Sequence, residues 1–303
     1  MNLIYTSEKG MPEKQLIIFG ETLFDVFTDG SEVLGGAPFN VAWHLQGFGL
    51  LPKLVTRVGA DSRGQQIVRS MSSWGMDTSY VQIDTERPTG RVDITLQGQE
   101  PSFFINPDQS YGHISAPEII EPEEVALIYH GSLAVWNSEA RKDLGALRRE
   151  LASPVFIDVN LRDPWWQVNI IHSLVESAEW VKMNNNELRV LFPQHSSKEK
   201  RIEDLFTHFS LETLILTEGS RGATAYMRNE TSISVQPEEK VSVVDTVGAG
   251  DAFSSVFILG QVLDWDIEKR LNHAQEFATK IVSQRGAIVE HPEIYSTYLK
   301  QWT

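Results

Sequence analysis

The residues with the clearest chemical potential lie in one run, Val243-Val244-Asp245-Thr246-Val247-Gly248-Ala249-Gly250-Asp251-Ala252-Phe253. An apolar strand end runs into two glycines separated by one alanine. A stretch with helical potential, Ala252 to Leu263, follows. Small residues let backbone N–H groups converge on a ligand with no Cβ in the way. A helix start adds unpaired donors and the positive end of the helix dipole. Gly248, Ala249 and Gly250 therefore read as a cradle for a phosphate, or for charge that develops in a transition state. Asp251 stands beside that cradle. A carboxylate crowding an anion is unfavourable unless it has a task, and taking a proton from an attacking hydroxyl is one. The plain alternative is a first-turn acid that steadies its helix by ~0.3–1 kcal/mol.

A second constellation is Leu34-Gly35-Gly36-Ala37-Pro38-Phe39-Asn40-Val41-Ala42. The pair Gly35 and Gly36 lets backbone pass close to a ligand, and Pro38 suits the first turn of a helix. Asn40 offers a donor and an acceptor, which suits a polyol; taken alone it reads more simply as a solvated polar residue at a loop-to-helix junction. No G-x-x-x-x-G-K-S/T run is present, so a Walker-type phosphate loop is excluded. No early G-x-G-x-x-G supports a dinucleotide fold.

Both runs, in this order and more than 200 residues apart, resemble the two signatures of the ribokinase-like, or phosphofructokinase-B type, carbohydrate kinases. The resemblance covers nearly the whole chain after Gln15. It implies that Asp251 is the catalytic base and that the Gly248–Gly250 amides form the anion hole. By the same resemblance Asp25, in Gly20-Glu21-Thr22-Leu23-Phe24-Asp25, accepts hydrogen bonds from sugar hydroxyls alongside Gly35, Gly36 and Asn40. Asp158-Val159-Asn160-Leu161-Arg162 is similar to a D-x-N-x-R run, in which Asn160 contacts substrate and Arg162 balances its charge or that of phosphate. A surface salt bridge is the plain alternative for Arg162.

On the nucleotide side, Asn184-Asn185-Asn186-Glu187 resembles the family's N-x-x-E motif, which implies Mg²⁺ near Glu187, held through water. The alternative is a polar cap on the helix carrying Leu188 and Leu191. Thr217, Gly219 and Gly222 resemble a nucleotide loop. Gln275 falls where many members place an asparagine near adenine, and Asp245 where some bind K⁺. Gly-Gly-Ala-Pro-Phe-Asn is closest to fructokinases, and Phe104, in Phe103-Phe104-Ile105, resembles an aromatic residue that covers the sugar. Implied are ATP as phosphoryl donor and D-fructose going to fructose 6-phosphate. A 2-keto-3-deoxygluconate kinase, a ribokinase-type enzyme, or a catalytically silent member of the family stay open.

These residues need a scaffold, and the hydrophobic pattern supplies one. Short β-rich runs at Leu16–Phe19, Leu54–Val58, Leu127–His130, Val155–Val159, Trp180–Met183 and Leu214–Thr217 alternate with helical stretches. The helical stretches are Phe39–Gln46, Ser62–Ser73, Ser138–Leu151 and Ile267–Gln284, and Asp61 is a good N-cap for the second. Such alternation predicts a mostly parallel sheet with helices on both faces. With the resemblance, the expectation is a three-layer α/β/α domain over 15–303. The strands near 23–36 and 88–110 alternate polar and apolar residues, which implies one wet face and suits a small lid sheet.

The chain has 303 residues, 41% hydrophobic and 22% charged, with a net charge of −15 and no cysteine. Disulfides and thiolate metal sites are thereby excluded. The acidic balance disfavours nucleic acid and anionic membrane as partners. No run approaches the roughly 20 apolar residues of a membrane span. Residues 1–14 are polar and lack the apolar stretch of a secretory signal, which predicts a short extension and fits a cytoplasmic protein. A homodimer through the lid is implied by resemblance alone.

Overall fold

Runs of four or five consecutive buried residues fit a strand covered on both faces, and that is where they lie. The computed structural model describes residues 15–97, 100–117, 125–237 and 241–303; the expected extension at 1–14 lies outside them. The strands are β1 (Gln15–Phe19), β2 (Leu23–Phe27), β3 (Glu32–Gly35), β4 (Lys53–Gly59), β5 (Val81–Asp84), β6 (Gly90–Gln97), β7 (Glu100–Ile105), β8 (Val125–His130), β9 (Val155–Asp158), β10 (Trp180–Asn184), β11 (Thr213–Thr217), β12 (Ala223–Met227) and β13 (Ile233–Val235). The α-helices are α1 (Ala37–Gly47), α2 (Ser62–Ser73), α3 (Ser138–Leu151), α4 (Val168–Val175), α5 (Asn185–Leu191), α6 (Lys198–His208), α7 (Ala249–Val262), α8 (Ile267–Ile281) and α9 (Pro292–Trp302).

Among the described residues, nine strands form the main sheet in the order β13-β12-β11-β10-β9-β8-β1-β4-β5. All neighbours from β11 to β5 are parallel. Only β12 and β13 run antiparallel, at one edge. Side-chain alternation splits the core in two. Leu16, Ile18, Leu127, Tyr129 and Phe156 face the layer built by α1, α7, α8 and α9. Ile17, Phe19, Ile128, Val155 and Ile157 face the layer of α3 to α6. The expected three-layer α/β fold with a mostly parallel sheet is the observed one.

Sequence order reverses around β1, which lies between β4 and β8. In an open parallel sheet such a switch point leaves a crevice beyond the carboxyl ends of the strands. A separate four-stranded sheet, β3-β2-β6-β7, is built from segments inserted between β1 and α1 and between β5 and β8. Asp61 does two jobs at its base. One carboxylate oxygen caps α2 through Gly64 N–H at 2.8 Å, and the other accepts Thr89 N–H at 2.8 Å, just before β6. Among the described residues, no helix is long and apolar enough to cross a membrane.

Candidate active site

The sequence-marked residues gather along the carboxyl edge of the main sheet. Glu21 follows β1, Asn160 follows β9, Asn184 ends β10 and Thr217 ends β11. Helix α7 begins over this edge. Gly248 is its N-cap in the left-handed region (φ 80°), and a Cβ there would stand 2.3 Å from that of Ala287. Only glycine fits both demands. The first N–H groups of α7, at Gly250 and Asp251, have no carbonyl one turn earlier within the helix, so they are donors for an anion.

Asp251 is buried, at 9% exposure. Its Oδ2 accepts a 2.7 Å hydrogen bond from Asn40 Nδ2 on α1. Desolvation raises its pKa to about 6, against the Asn40 bond, with Asp158 adding to the rise and Lys182 and Arg162 opposing it. A carboxylate so tuned is mostly ionised at neutral pH yet basic enough to share a proton in flight.

At the glycine pair before α1, Gly36 caps the helix at φ 108°, and a Cβ there would lie 2.5 Å from the Glu21 carbonyl oxygen. That contact presses the start of α1 onto the exit of β1 and aims Asn40 at Asp251. The Oδ1 of Asn40 is buried without a partner. A Cβ at Gly35 would stand 3.6 Å from Asp25 Oδ2, so Gly35 leaves room beside that carboxylate. Desolvation raises Asp25 to about 6, with Arg162 opposing and Asp245 adding. Arg162 is exposed, and no ion pair of the described residues uses it. It acts electrostatically on Glu21, Asp25 and Asp251 alike. Asn160 sits in the turn between β9 and Arg162 with φ 41°, a conformation asparagine tolerates.

Phe104, expected to cover the sugar, is 59% exposed. Register pairs it with Asp93 and Val26, whereas Asp25 pairs with Val92 and so with Ile105. Phe104 therefore lies on the sheet face opposite Asp25 and does not cover a sugar held there. The reason is the two-residue period of a strand, where an offset of one position reverses the face.

At the end of β10, the capping alternative for the N-x-x-E motif is realised. Asn184 Oδ1 accepts Asn186 and Glu187 N–H, and Glu187 Oε2 accepts Asn184 N–H at 2.7 Å, a complete capping box. Glu187 Oε1 accepts Leu161 N–H at 2.9 Å. Burial raises the Glu187 pKa. Each oxygen keeps a lone pair, so the side chain can still hold a water of a magnesium shell. Among the described residues, no three His, Asp or Glu side chains group to hold a metal. A magnesium ion here would take most ligands from phosphate and water, as that ion usually does.

The two loop glycines separate. Gly219 has φ 59° and open space around it. Gly222 has φ 94°, and a Cβ would stand 1.9 Å from Val235 O on β13, so its identity serves strand packing. Thr217 Oγ1 leans on Met183 O at 3.5 Å. Gln275 and Thr279 line a groove of about 900 Å³ between α8 and α9, together with Gln236 and Ser283. Asp245 accepts Val247 N–H at 3.0 Å and Gly286 N–H at 3.1 Å. It thus ties the anion turn to the 285–287 loop and keeps a lone pair on each oxygen for a monovalent cation. His44, one turn beyond Asn40 on α1, meets Ala287 O at 3.0 Å. Burial lowers its pKa to about 4, so it is neutral and donates from Nε2.

Three groups were not assigned from sequence. Glu21 is 3% exposed with Oε2 unpartnered, and desolvation raises its pKa to about 7. Asp158 and Lys182 form a buried pair at 2.5 Å. A lysine inside the apolar strand Trp180-Val181-Lys182-Met183 was the available signal, because a buried ammonium demands a partner.

Residues 14–294 match the model of the pfkB family carbohydrate kinases. A sugar kinase of Pyrococcus horikoshii is 28% identical over 265 residues, covering 84% of this chain and 82% of that one. Its crystal structure superposes with a TM-score of 0.81 at 25% identity, over 94% and 97% of the two chains. Fructokinase-2 of Oryza sativa subsp. japonica is 27% identical over 313 residues, 93% of this chain and 92% of its own. At the level of fold alone, a fructokinase with bound ATP from Xylella fastidiosa superposes with a TM-score of 0.84 at 19% identity, over 95% and 99% of the chains. With the family model spanning all but its ends, this chain belongs to the pfkB family and is an ATP-dependent carbohydrate kinase.

Proposed function

We propose that the chain transfers the γ-phosphoryl group of ATP to the primary hydroxyl of D-fructose, giving fructose 6-phosphate. The observation that carries this reading is the Asn40–Asp251 contact. It joins the sugar-side helix to a buried carboxylate in the first turn of an anion-binding helix.

Asp25, Asn40 and the Gly35–Gly36 backbone hold the sugar. Asp251 accepts the hydroxyl proton as the oxygen attacks phosphorus. The N–H groups of Gly250 and Asp251 meet charge on the transferring group, the Ala249 N–H being turned to Thr246 O at 3.4 Å, and phosphoryl transfer needs chiefly such positioning and charge stabilisation. Glu187 would hold Mg²⁺ through a water, and the ion would supply charge that screens the triphosphate; Asp245 would be the ligand for K⁺. Asn184, Thr217 and Gly219 border the phosphates, and Gln275 borders the base. Asn160 and Arg162 close the sugar side. The small sheet acts as a lid over 23–36 and 88–110 that excludes water as a competing acceptor. Its exposed face at Phe104 is the surface through which two copies would pair.

A neutral polyol is favoured over a sugar acid by charge. Glu21, Asp25 and Asp251 lie within reach of one guanidinium, Arg162. An added substrate carboxylate would compete for that guanidinium. The test is ADP release measured over a panel of fructose, glucose, ribose and 2-keto-3-deoxygluconate. The highest kcat/KM is expected with fructose. A clear preference for the sugar acid, or no acceptor-dependent turnover, overturns the proposal.

A further inference from the structure

Cross-strand register pairs Lys182 on β10 with Asp158 on β9. Val181, Met183 and Ile157 face the core under α3 to α6. Alternation therefore turns Lys182 and Asp158 to the other face, the one α7 covers. Lys182 Nζ lies 2.5 Å from Asp158 Oδ2, and Ser254 Oγ, from α7, lies 3.0 Å from the same oxygen. The lysine is 4% and the aspartate 3% exposed. A buried ion pair rarely stabilises more than apolar residues of the same volume, so fold stability is a weak reason for it.

Position supplies a stronger one. A Cβ on Gly250 would stand 3.3 Å from Lys182 Nζ. The ammonium thus lies against the anion turn, at the second of its two glycines. Its charge acts on Asp251, the candidate base, and also on Glu187, on the nucleotide side. It sits between the two ends of the reaction. An ammonium has three donors, and Asp158 Oδ2 uses one.

We infer that Lys182 is a catalytic residue, whose ammonium donates a hydrogen bond to a non-bridging oxygen of the γ-phosphoryl group as that group passes over Gly250, with Asp158 and Ser254 as positioning residues that aim it. This rests on the reading of Asp251 as the base. The bond from phosphorus to the β–γ bridging oxygen breaks, and the bond to the sugar oxygen forms. The hydroxyl proton goes to Asp251. Lys182 keeps its own proton throughout and only offsets charge.

The single change Lys182→Met strands a buried carboxylate, so the deciding protein is the double variant Lys182→Met/Asp158→Asn, which removes both charges. Circular dichroism and Tm are expected to stay close to the parent. KM for sugar and the Kd for ADP should hold, while kcat falls about 10²–10³-fold, as for loss of one oxyanion donor. Tightening of ADP binding by aluminium fluoride in the presence of sugar should be lost, and Lys182→Arg should recover part of kcat. A folded double variant with near-parental kcat overturns the inference and leaves the pair structural. Asp251→Asn run beside it separates the failures. Inactive Asp251→Asn with an active double variant sinks Lys182 alone, whereas active Asp251→Asn sinks both readings.

Discussion

Asn40 Nδ2 donates to Asp251 Oδ2 at 2.7 Å across 211 positions of sequence. The bond favours the ionised carboxylate, against a burial that raises its pKa to about 6. Asn40→Ala removes a charge-assisted bond of about 1.5–3 kcal/mol. A fall in kcat/KM of about 10–100-fold is expected, with the acidic limb of the pH profile moved to higher pH. A profile whose limb does not move would show that the bond leaves the base unaffected.

Asp251 itself gives a sharper test. Only its ionised form can take a proton, so kcat/KM should rise with pH through about 6 and level above it. Asp251→Asn should lose about 10²–10⁴-fold in turnover and keep ATP affinity measured by calorimetry. Loss of ATP binding together with turnover would instead mark Asp251 as part of the nucleotide site.

Much of the scaffold was legible because its signals are local. The strand runs from Leu16 to Leu214 and the Asp61-capped helix Ser62–Ser73 appear with nearly the boundaries their patterns predict. The Asn40–Asp251 pairing was foreshadowed only as two motifs facing one substrate. What escaped depends on register. Lys182 looks like an anomaly in an apolar strand until β9 brings Asp158 beside it. Phe104 falls on the outer face because alternation is unforgiving by one residue. Gly222 resembles a nucleotide-loop glycine in sequence, yet its demand comes from Val235 on β13, thirteen positions on. The amphipathic helices α6 and α9 carry no chemical motif and went unread.

Glu21 predicts a pH-dependent stability. Burial raises its pKa from an ordinary 4.5 to about 7. Below about 4.5 both folded and unfolded chains hold this proton. Between the two values the folded chain keeps a proton that the unfolded chain releases, so stability falls as pH rises. Above about 7 the cost of a buried carboxylate is fully expressed. Glu21→Gln should therefore raise Tm at pH 8 and leave it nearly unchanged at pH 4. At the acidic limb, near pH 6, Glu21 is mostly protonated and neutral, so Glu21→Gln should leave the limb of kcat/KM nearly in place. Equal Tm gains at both pH values would show that Glu21 does not titrate in this range.

Glu187 serves a helix cap whether or not it serves a metal. Glu187→Gln keeps one carbonyl oxygen for backbone N–H and removes the charge. Chelation with EDTA should abolish turnover of the parent enzyme, and titration with Mg²⁺ should restore it. In Glu187→Gln the Mg²⁺ concentration for half-maximal activity should rise several-fold, with Tm lowered by loss of part of the capping box. A lower Tm with an unchanged Mg²⁺ requirement would assign Glu187 to the cap alone.

Gly219 and Gly222 sit three residues apart and should answer alanine differently. At Gly219 the added methyl meets nothing within 4 Å, so only the positive φ of 59° is strained, at about 1 kcal/mol. At Gly222 the methyl would overlap Val235 O, with a φ of 94° besides, and β12 must part from β13 to admit it. Thermal unfolding should show a small loss of Tm for Gly219→Ala and a much larger one for Gly222→Ala. Kinetics should show the reverse emphasis, with KM for ATP raised in Gly219→Ala because its methyl would take up open space that the proposal gives to the nucleotide. A raised KM in Gly222→Ala at unchanged Tm would return that glycine to the nucleotide site.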